Sequence, residues 1–236
     1  MLIVPSFWLR NLVQSAMSHC YETIDFATLH PARALRKMAV AQSVAFIQQH
    51  MPDALSFYTA KQVLRYCLSQ LRQPGMILEF GVFRGGSINY IANLQPQREV
   101  HGFDSFEGLP SAWSGTGHDQ SAFSAGGRLP RVRANVRLHK GLFDATLPEW
   151  AAHHPGLIAF LHIDSDLYSS TRTVFEVLEG RIGPGTIIVF DEYFGYPGWQ
   201  NGEHRAFSEF AERCGIRFEY LCHAFYQVGV RVLDSP

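Results

Sequence analysis

"ILEFGVFRGGSINYIA" occupies residues 77–92, and its reading decides the fold. An apolar run, "MILEF" from 76 to 80, has the length and content of a strand. Glycines follow at Gly81, Gly85 and Gly86, and a helix-like segment starts near Ser87. Glycine permits a tight turn and a close approach of backbone to ligand. The new helix offers free N–H groups to an anion. Phe83 stands where a dinucleotide fingerprint has its middle glycine, so a pyrophosphate is poorly served here. A ligand with one carboxylate and no phosphate fits better. Glu79, at the end of the strand, could face a cationic group on the same ligand.

Outward from this corner, short apolar runs alternate with helical patterns. "REVHGFD" (98–104), "NVRLHKG" (135–141), "LIAFLHID" (157–164) and "TIIVFDE" (186–192) are further strand candidates. Their near-continuous apolar character suits strands covered on both faces. Strands alternating with helices predict a Rossmann-like α/β fold, a doubly wound and mostly parallel sheet. The terminal "IRFEYLCHAFYQVGVRVLD" reads as two strands with no helix between them, an antiparallel pair ending the sheet. Before Pro74-Gly75 the texture differs. Residues 1–72 read as an N-terminal helical cap on a core formed by 73–236. "PARALRKMAVAQSVAFIQQHMP" starts and stops at prolines, with Leu35, Met38, Val40, Val44 and Ile47 near helical spacing. "ALSFYTAKQVLRYCLSQL" is a second amphipathic helix, and no strand signal interrupts the region. "GLPSAWSGTGHDQSAFSAGGRLP" (108–130) is a long Gly/Ser-rich loop, of the kind that often serves as a lid.

The 236 residues suit one domain with a cap. A formal net charge of -1 with no run of one sign argues against nucleic-acid and membrane partners. Cys20, Cys67, Cys214 and Cys222 form no CxxC pair, which predicts reduced thiols. The opening "MLIVPSFWLRN" lacks a basic n-region, and no stretch reaches the length of a membrane span, so a cytoplasmic protein is expected.

Candidate site residues gather at strand ends. Asp104, with Ser105 after it, closes the second strand about 20 residues beyond the glycine turn, where an acidic group commonly takes ribose hydroxyls. A surface helix cap is the plainer alternative. The fourth strand ends in Asp164-Ser165-Asp166 and the fifth in Asp191-Glu192. In a doubly wound sheet these ends share one crevice. Four carboxylates converging without a cation would repel one another. A hard divalent ion, Mg²⁺ first of all, relieves this, and one carboxylate left over could act as a base. Helix capping by the Asp/Ser/Thr run is the competing reading. His162, inside an apolar strand, reads as a satisfied core residue, and His204 as a solvated loop residue, with substrate contact or service as an alternative base as its competing roles. Trp113 and Trp199 lie in candidate lid loops, either stacking on an acceptor or packing the loop down.

Taken together, "EFGVFRGGS", "GFDSFEGLP", "KGLFDATLP", "HIDSDLYSST", "IIVFDEY" and "YQVGVRV" make the chain resemble a class I S-adenosylmethionine-dependent methyltransferase, and more narrowly the macrocin O-methyltransferase-like family. The resemblance runs from about Tyr58 to Val232. It implies that Glu79, Gly81, Gly85 and the loop to Ser87 hold the methionine part of the cofactor. Asp104 and Ser105 would meet the ribose, and "KGLF" (140–143), with Gly141, would lie near adenine. Asp164, Asp191 and Glu192 match the metal positions, and Asp166 the general base. The implied reaction moves a methyl group from S-adenosylmethionine to a hydroxyl of a small molecule, a sugar or glycosylated natural product, with Mg²⁺. Two departures stand out. The family often has two aspartates where this chain has Asp191-Glu192. The segment "GYPGWQNGEHRAF" (195–207), which should border the substrate, is longer and more aromatic than usual. The N-terminal helices are candidates for a homodimer contact. A nicotinamide-dependent oxidoreductase and a non-catalytic nucleoside-binding protein are the competing readings. Phe83 and the Asp164/Asp191/Glu192 cluster count against the first, and the intact carboxylate set against the second.

Overall fold

The computed structural model describes residues 12–18, 30–113 and 116–234. The helical reading of 1–11 and 19–29, with Cys20, lies outside the described residues. In chain order the elements are α1 (12–18), α2 (Pro31–His50), β1 (Leu55–Ser56), α3 (Ala60–Ser69), β2 (Met76–Phe80), α4 (Gly86–Leu94), β3 (Val100–Asp104) and β4 (Val136–Lys140). There follow α5 (Phe143–His153), β5 (Ile158–Ile163), α6 (Tyr168–Leu178), β6 (Ile187–Phe190), α7 (Glu203–Arg213), β7 (Arg217–His223) and β8 (Val228–Asp234).

The strands form one sheet in the order β1-β7-β8-β6-β5-β2-β3-β4. From β2 the chain winds through β3 and β4 to one side, then returns through β5 and β6 on the other. All of these pairings are parallel. The crevice beyond the carboxyl ends of β2 and β5 is therefore the switch point where ligands bind in open α/β sheets. β8 inserts antiparallel between β6 and β7, as the terminal pattern predicts.

Both faces of the sheet are covered, which is why the strands are apolar without alternation. All six residues of β5 are buried. On one face, α5, α6 and α7 press Trp150, Phe175 and Phe207 against Phe80, Phe103 and Phe190. On the other, α3 and α4 pack Leu64, Cys67 and Ile88 against Ile77, Phe160 and Val189. Cys67 meets Cys222 in this layer, both as free thiols, with Sγ atoms 3.5 Å apart.

The region before residue 72 departs from a purely helical cap. Leu55–Ser56 adds an edge strand parallel to β7, and α3 belongs to the core layer of its face. A two-residue strand carries no periodicity of its own; the edge of β7 creates it. In α2 the predicted apolar face is also misplaced. Leu35, Met38, Val40 and Val44 are exposed, whereas Ala39 and Ser43 are buried. Small side chains one turn apart let the helix approach the chain after β6 closely, and hydrophobicity alone does not mark such a seam. Ser43 fixes the contact: its hydroxyl donates to the Ala39 carbonyl at 2.8 Å and accepts the Gly195 N–H at 2.9 Å. Ser43→Ala leaves that buried N–H unpaired, so a loss of about 1–3 kcal/mol is expected in chemical denaturation. Unchanged stability would show that the seam does not hold α2 in place.

Candidate active site

The glycine turn after β2 is built around backbone that L side chains rarely adopt. Gly81 has φ +97, and a Cβ there would overlap the main-chain carbonyl oxygen of Asp164. The ends of β2 and β5 thus touch through bare backbone. Phe83 (φ +48) and Gly85 (φ +80) are also left-handed, and Gly85 starts α4. Asp104 ties this turn to β3. Its Oδ2 accepts the N–H groups of Val82 (2.8 Å) and Phe83 (2.6 Å), and its Oδ1 that of Phe106 (2.6 Å). A carboxylate has about four acceptor positions, so Asp104 retains capacity toward the crevice that it lines.

That crevice is a cavity of about 420 Å³, within the range of small-molecule sites. Gly81, Asp104, Ser105 and Gly141 line it at the β2, β3 and β4 ends, and Asp164, Asp166, Asp191 and Glu192 at the β5 and β6 ends. Sequence reasoning thus names eight of its wall residues. The structure does not place the other three named residues, Glu79, Gly85 and Ser87, on that wall. Glu79 is fully buried on β2, where its Oε1 meets Nδ1 of His162 at 3.1 Å. Gly85 packs under Pro130, and Ser87 lies in the first turn of α4. Phe143, at the start of α5 and within the "KGLF" stretch, is also on the wall; missed are Leu109 and Phe123 of the long loop, and Ser169, Ser170 and Thr173 on the first turns of α6. The last three repeat at three-to-four-residue spacing after Asp166, a helical-face signal that was available.

Ligand atoms of Asp164, Asp191 and Glu192 all lie within 4.8 Å of one another, and so do those of Glu79, His162 and Asp164. The electrostatics are strained. Burial, followed by the charge of Asp191, pushes Asp164 and Glu192 well above the usual carboxylate range. Burial would raise Asp191 too, but the His162 imidazole, joined by Glu192 and Gln227, outweighs it and holds that carboxyl low. His162 Nε2 lies 3.8 Å from Asp191 Oδ1, an ion-pair contact too long for a hydrogen bond. Glu192 Oε2 is buried with no hydrogen-bond partner. Such an orphaned carboxylate oxygen is costly unless a cation or donor completes it. The set could therefore hold a hard divalent ion, whose preferred ligands are carboxylate oxygens.

Asp166 is buried and left-handed, with φ +62. Burial, then the charges of Asp191 and Asp104, raises it to about 7. Helix capping does not explain these aspartates. The residue preceding α6 is Leu167, and no side chain caps that end.

The aromatic segment 195–207 contributes nothing to the cavity wall. Trp199 is 3 % exposed and packs edge-on against Phe46 and His204, so it holds the segment down. His204 is on α7 in the same cluster and is not a solvated loop residue; burial lowers it to about 4. Trp113 rests against Tyr196 at a ring distance of 5.4 Å. Glu203 from this segment was missed. It is fully buried, and it accepts the backbone N–H groups of Ser165 and Glu192.

The profile of the macrocin-O-methyltransferase (TylF) family matches residues 60–219. The chain belongs to this family. One relative is the 8-demethyl-8-(2,3-dimethoxy-alpha-L-rhamnosyl)-tetracenomycin-C 4'-O-methyltransferase of Streptomyces olivaceus. It is 33% identical over 159 residues, 55% of this chain and 58% of the relative. The mycinamicin III 3''-O-methyltransferase of Micromonospora griseorubida is 27% identical over 186 residues, 67% of this chain and 70% of the relative. The chain thus spans a little over half the length of the first. Among solved structures, the calicheamicin methyltransferase CalS11 superposes with a TM-score of 0.59 at 25% identity, over 72% of this chain and 77% of that one. The O-methyltransferase NovP does so with 0.57 at 22% identity, over 74% and 79%. The predicted class I methyltransferase fold is the observed one. No helix among the described residues is long and apolar enough to cross a membrane.

Proposed function

We propose that this chain of the macrocin O-methyltransferase family transfers a methyl group from S-adenosylmethionine to a hydroxyl of a sugar or glycosylated natural product, with a divalent cation, Mg²⁺ foremost, bound at the acceptor end. The observation that carries this reading is the convergence of Asp164, Asp191 and Glu192 on the wall of the cavity that Gly81 and Asp104 also line. The relative named for a rhamnosyl-bearing tetracenomycin supports a sugar hydroxyl.

In this reading the cofactor lies along the β2–β4 ends. Gly81 lets its methionine part approach the backbone, Asp104 and Ser105 meet the ribose, and Gly141 with Phe143 borders the adenine. Phe83, on the wall where a pyrophosphate would need a bare backbone, disfavours a nicotinamide dinucleotide. Asp164, Asp191 and Glu192 would hold the cation. A bound Mg²⁺ lowers the pKa of a hydroxyl that it contacts and helps to orient it. Asp166, in the same wall, takes the hydroxyl proton as the oxygen attacks the methyl carbon and the sulfonium sulfur leaves with the bonding pair. Alignment of the two substrates in one crevice supplies much of the rate.

The test is transfer of labelled methyl from S-adenosylmethionine to a panel of rhamnosylated polyketides and macrolide glycosides. Turnover on at least one of them, mostly lost with a chelator and restored by Mg²⁺, is expected. Turnover indifferent to the chelator would discard the cation. Failure to bind S-adenosylmethionine would discard the reading.

A further inference from the structure

The acidic groups of the site sit on two separate turns. The parallel ladder between β5 and β6 ends at Ile163 and Phe190, with the Asp191 N–H to the Ile163 carbonyl (2.8 Å) as its last rung. Beyond that rung, the sheet does not fix Ser165-Asp166 relative to Glu192. Asp164 is tied the other way, its N–H bonding the Phe80 carbonyl of β2 at 2.8 Å. Yet the two turns are bridged. Glu203, the first residue of α7, reaches in from the far side of the site. Its Oε1 accepts the Ser165 N–H at 3.2 Å, and its Oε2 accepts the Glu192 N–H at 3.1 Å. It has no exposure to solvent. A buried carboxyl group beside a cluster already rich in carboxylates is costly, and hydrophobic filling would serve packing better.

We infer that Glu203 is a positioning residue that clamps the Asp164–Asp166 turn to the Glu192 turn, setting the distance between the carboxylates that hold the cation and the one that takes the proton. The clamp acts through main-chain N–H groups, one on each carboxylate oxygen of Glu203. The tether of Ser165 also restrains the neighbouring Asp166 in its left-handed conformation, which a non-glycine residue holds only when its surroundings impose it. The part of this inference that concerns the cation rests on the proposed function; the part that concerns the turns does not.

The test compares the full-length protein with Glu203→Gln and Glu203→Asp. Glutamine keeps the shape but offers one oxygen acceptor, and aspartate keeps the carboxyl group but is a methylene too short to span both turns. Amide exchange at Ser165 and Glu192 is read by NMR, with Mg²⁺ and S-adenosylmethionine affinities by calorimetry. Loss of one hydrogen bond should speed exchange of at least one of these amides about tenfold. Mg²⁺ affinity should fall about 10-fold or more, as for other groups that orient metal ligands, while S-adenosylmethionine affinity stays within about threefold. Glu203→Asp should fail in the same way as Glu203→Gln. A Glu203→Asp protein that behaves as wild type would replace the clamp with a purely electrostatic role. Wild-type protection of both amides in both variants would overturn the inference. If the wild-type protein binds no Mg²⁺, the cation reading fails by itself, and the amides alone decide whether the clamp exists.

Discussion

Asp166→Asn is expected to lower kcat by about 10²–10⁴-fold, the usual worth of a positioned general base. Asparagine is nearly isosteric and, among non-glycine residues, tolerates the left-handed conformation of this position (φ +62) well. The turn should therefore keep its shape. S-adenosylmethionine affinity should stay within about threefold, because the cofactor's contacts lie toward β2–β4. The removal of one negative charge from the cluster should weaken Mg²⁺ binding only slightly, since Asp166 is assigned no ligand role and contributes its charge alone. This pattern, chemistry lost with both ligands still bound, separates a base from a ligand. Turnover within tenfold of wild type would remove Asp166 from the proton path. A large loss of Mg²⁺ affinity would move it into the ligand set.

Gly81→Ala is expected to be the most damaging single-methyl change in the molecule. Its Cβ would overlap the Asp164 carbonyl oxygen, a main-chain atom with no rotamer to move. The residue is also at φ +97, outside the regions open to an L side chain. Backbone strain of roughly 1–3 kcal/mol adds to overpacking of similar size. A total of about 2–6 kcal/mol would be a large share of the stability of a single domain. Because the overlap lies where β2 meets β5, separation of those strands would widen the cavity at its centre. S-adenosylmethionine binding should be lost even in whatever fraction stays folded. A denaturation midpoint equal to wild type would show that β2 and β5 do not approach through bare backbone at Gly81.

Both predictions rest on features that the sequence carries in different degrees. The parallel sheet is legible because burial on two faces forces uninterrupted apolar strands, "LIAFLHID" above all, and because each strand is followed by a helix. The end of each strand is legible for the same reason. A charge there is out of place unless the strand has just left the core, so Asp104, Asp164, Asp166, Asp191 and Glu192 announce themselves and do line one cavity. Glu79 shows the limit of that rule. It sits one residue before the strand's end, and the imidazole of His162 on the neighbouring strand lets it stay inside. Cross-strand partners of this kind have no signature in a single sequence.

What escapes the sequence depends on contacts between distant elements. Glu203 looks like an ordinary first-turn glutamate, favourable at a helix N-terminus. Only the packing of α7 over the β5 and β6 turns shows that both its oxygens are engaged there. The seam of α2 is hidden for a related reason. Ala39 and Ser43 are chosen for smallness, whereas the eye follows Leu35, Met38 and Val44, which face outward. The aromatic segment 195–207 suggests a binding loop by composition. It folds instead into a packed turn around Trp199 because Phe46, Tyr193 and His204 offer it an apolar floor.

The most direct measurement is a crystal structure of the protein with S-adenosylhomocysteine and Mn²⁺, the ion located by its anomalous signal. One Mn²⁺ peak is expected among Asp164, Asp191 and Glu192, with the ribose on Asp104 and the sulfur facing Asp166. A cofactor bound as described with no anomalous peak between these carboxylates, or with the peak elsewhere, would contradict the cation-assisted mechanism. A nucleoside placed away from Gly81 and Asp104 would contradict the assignment of the site.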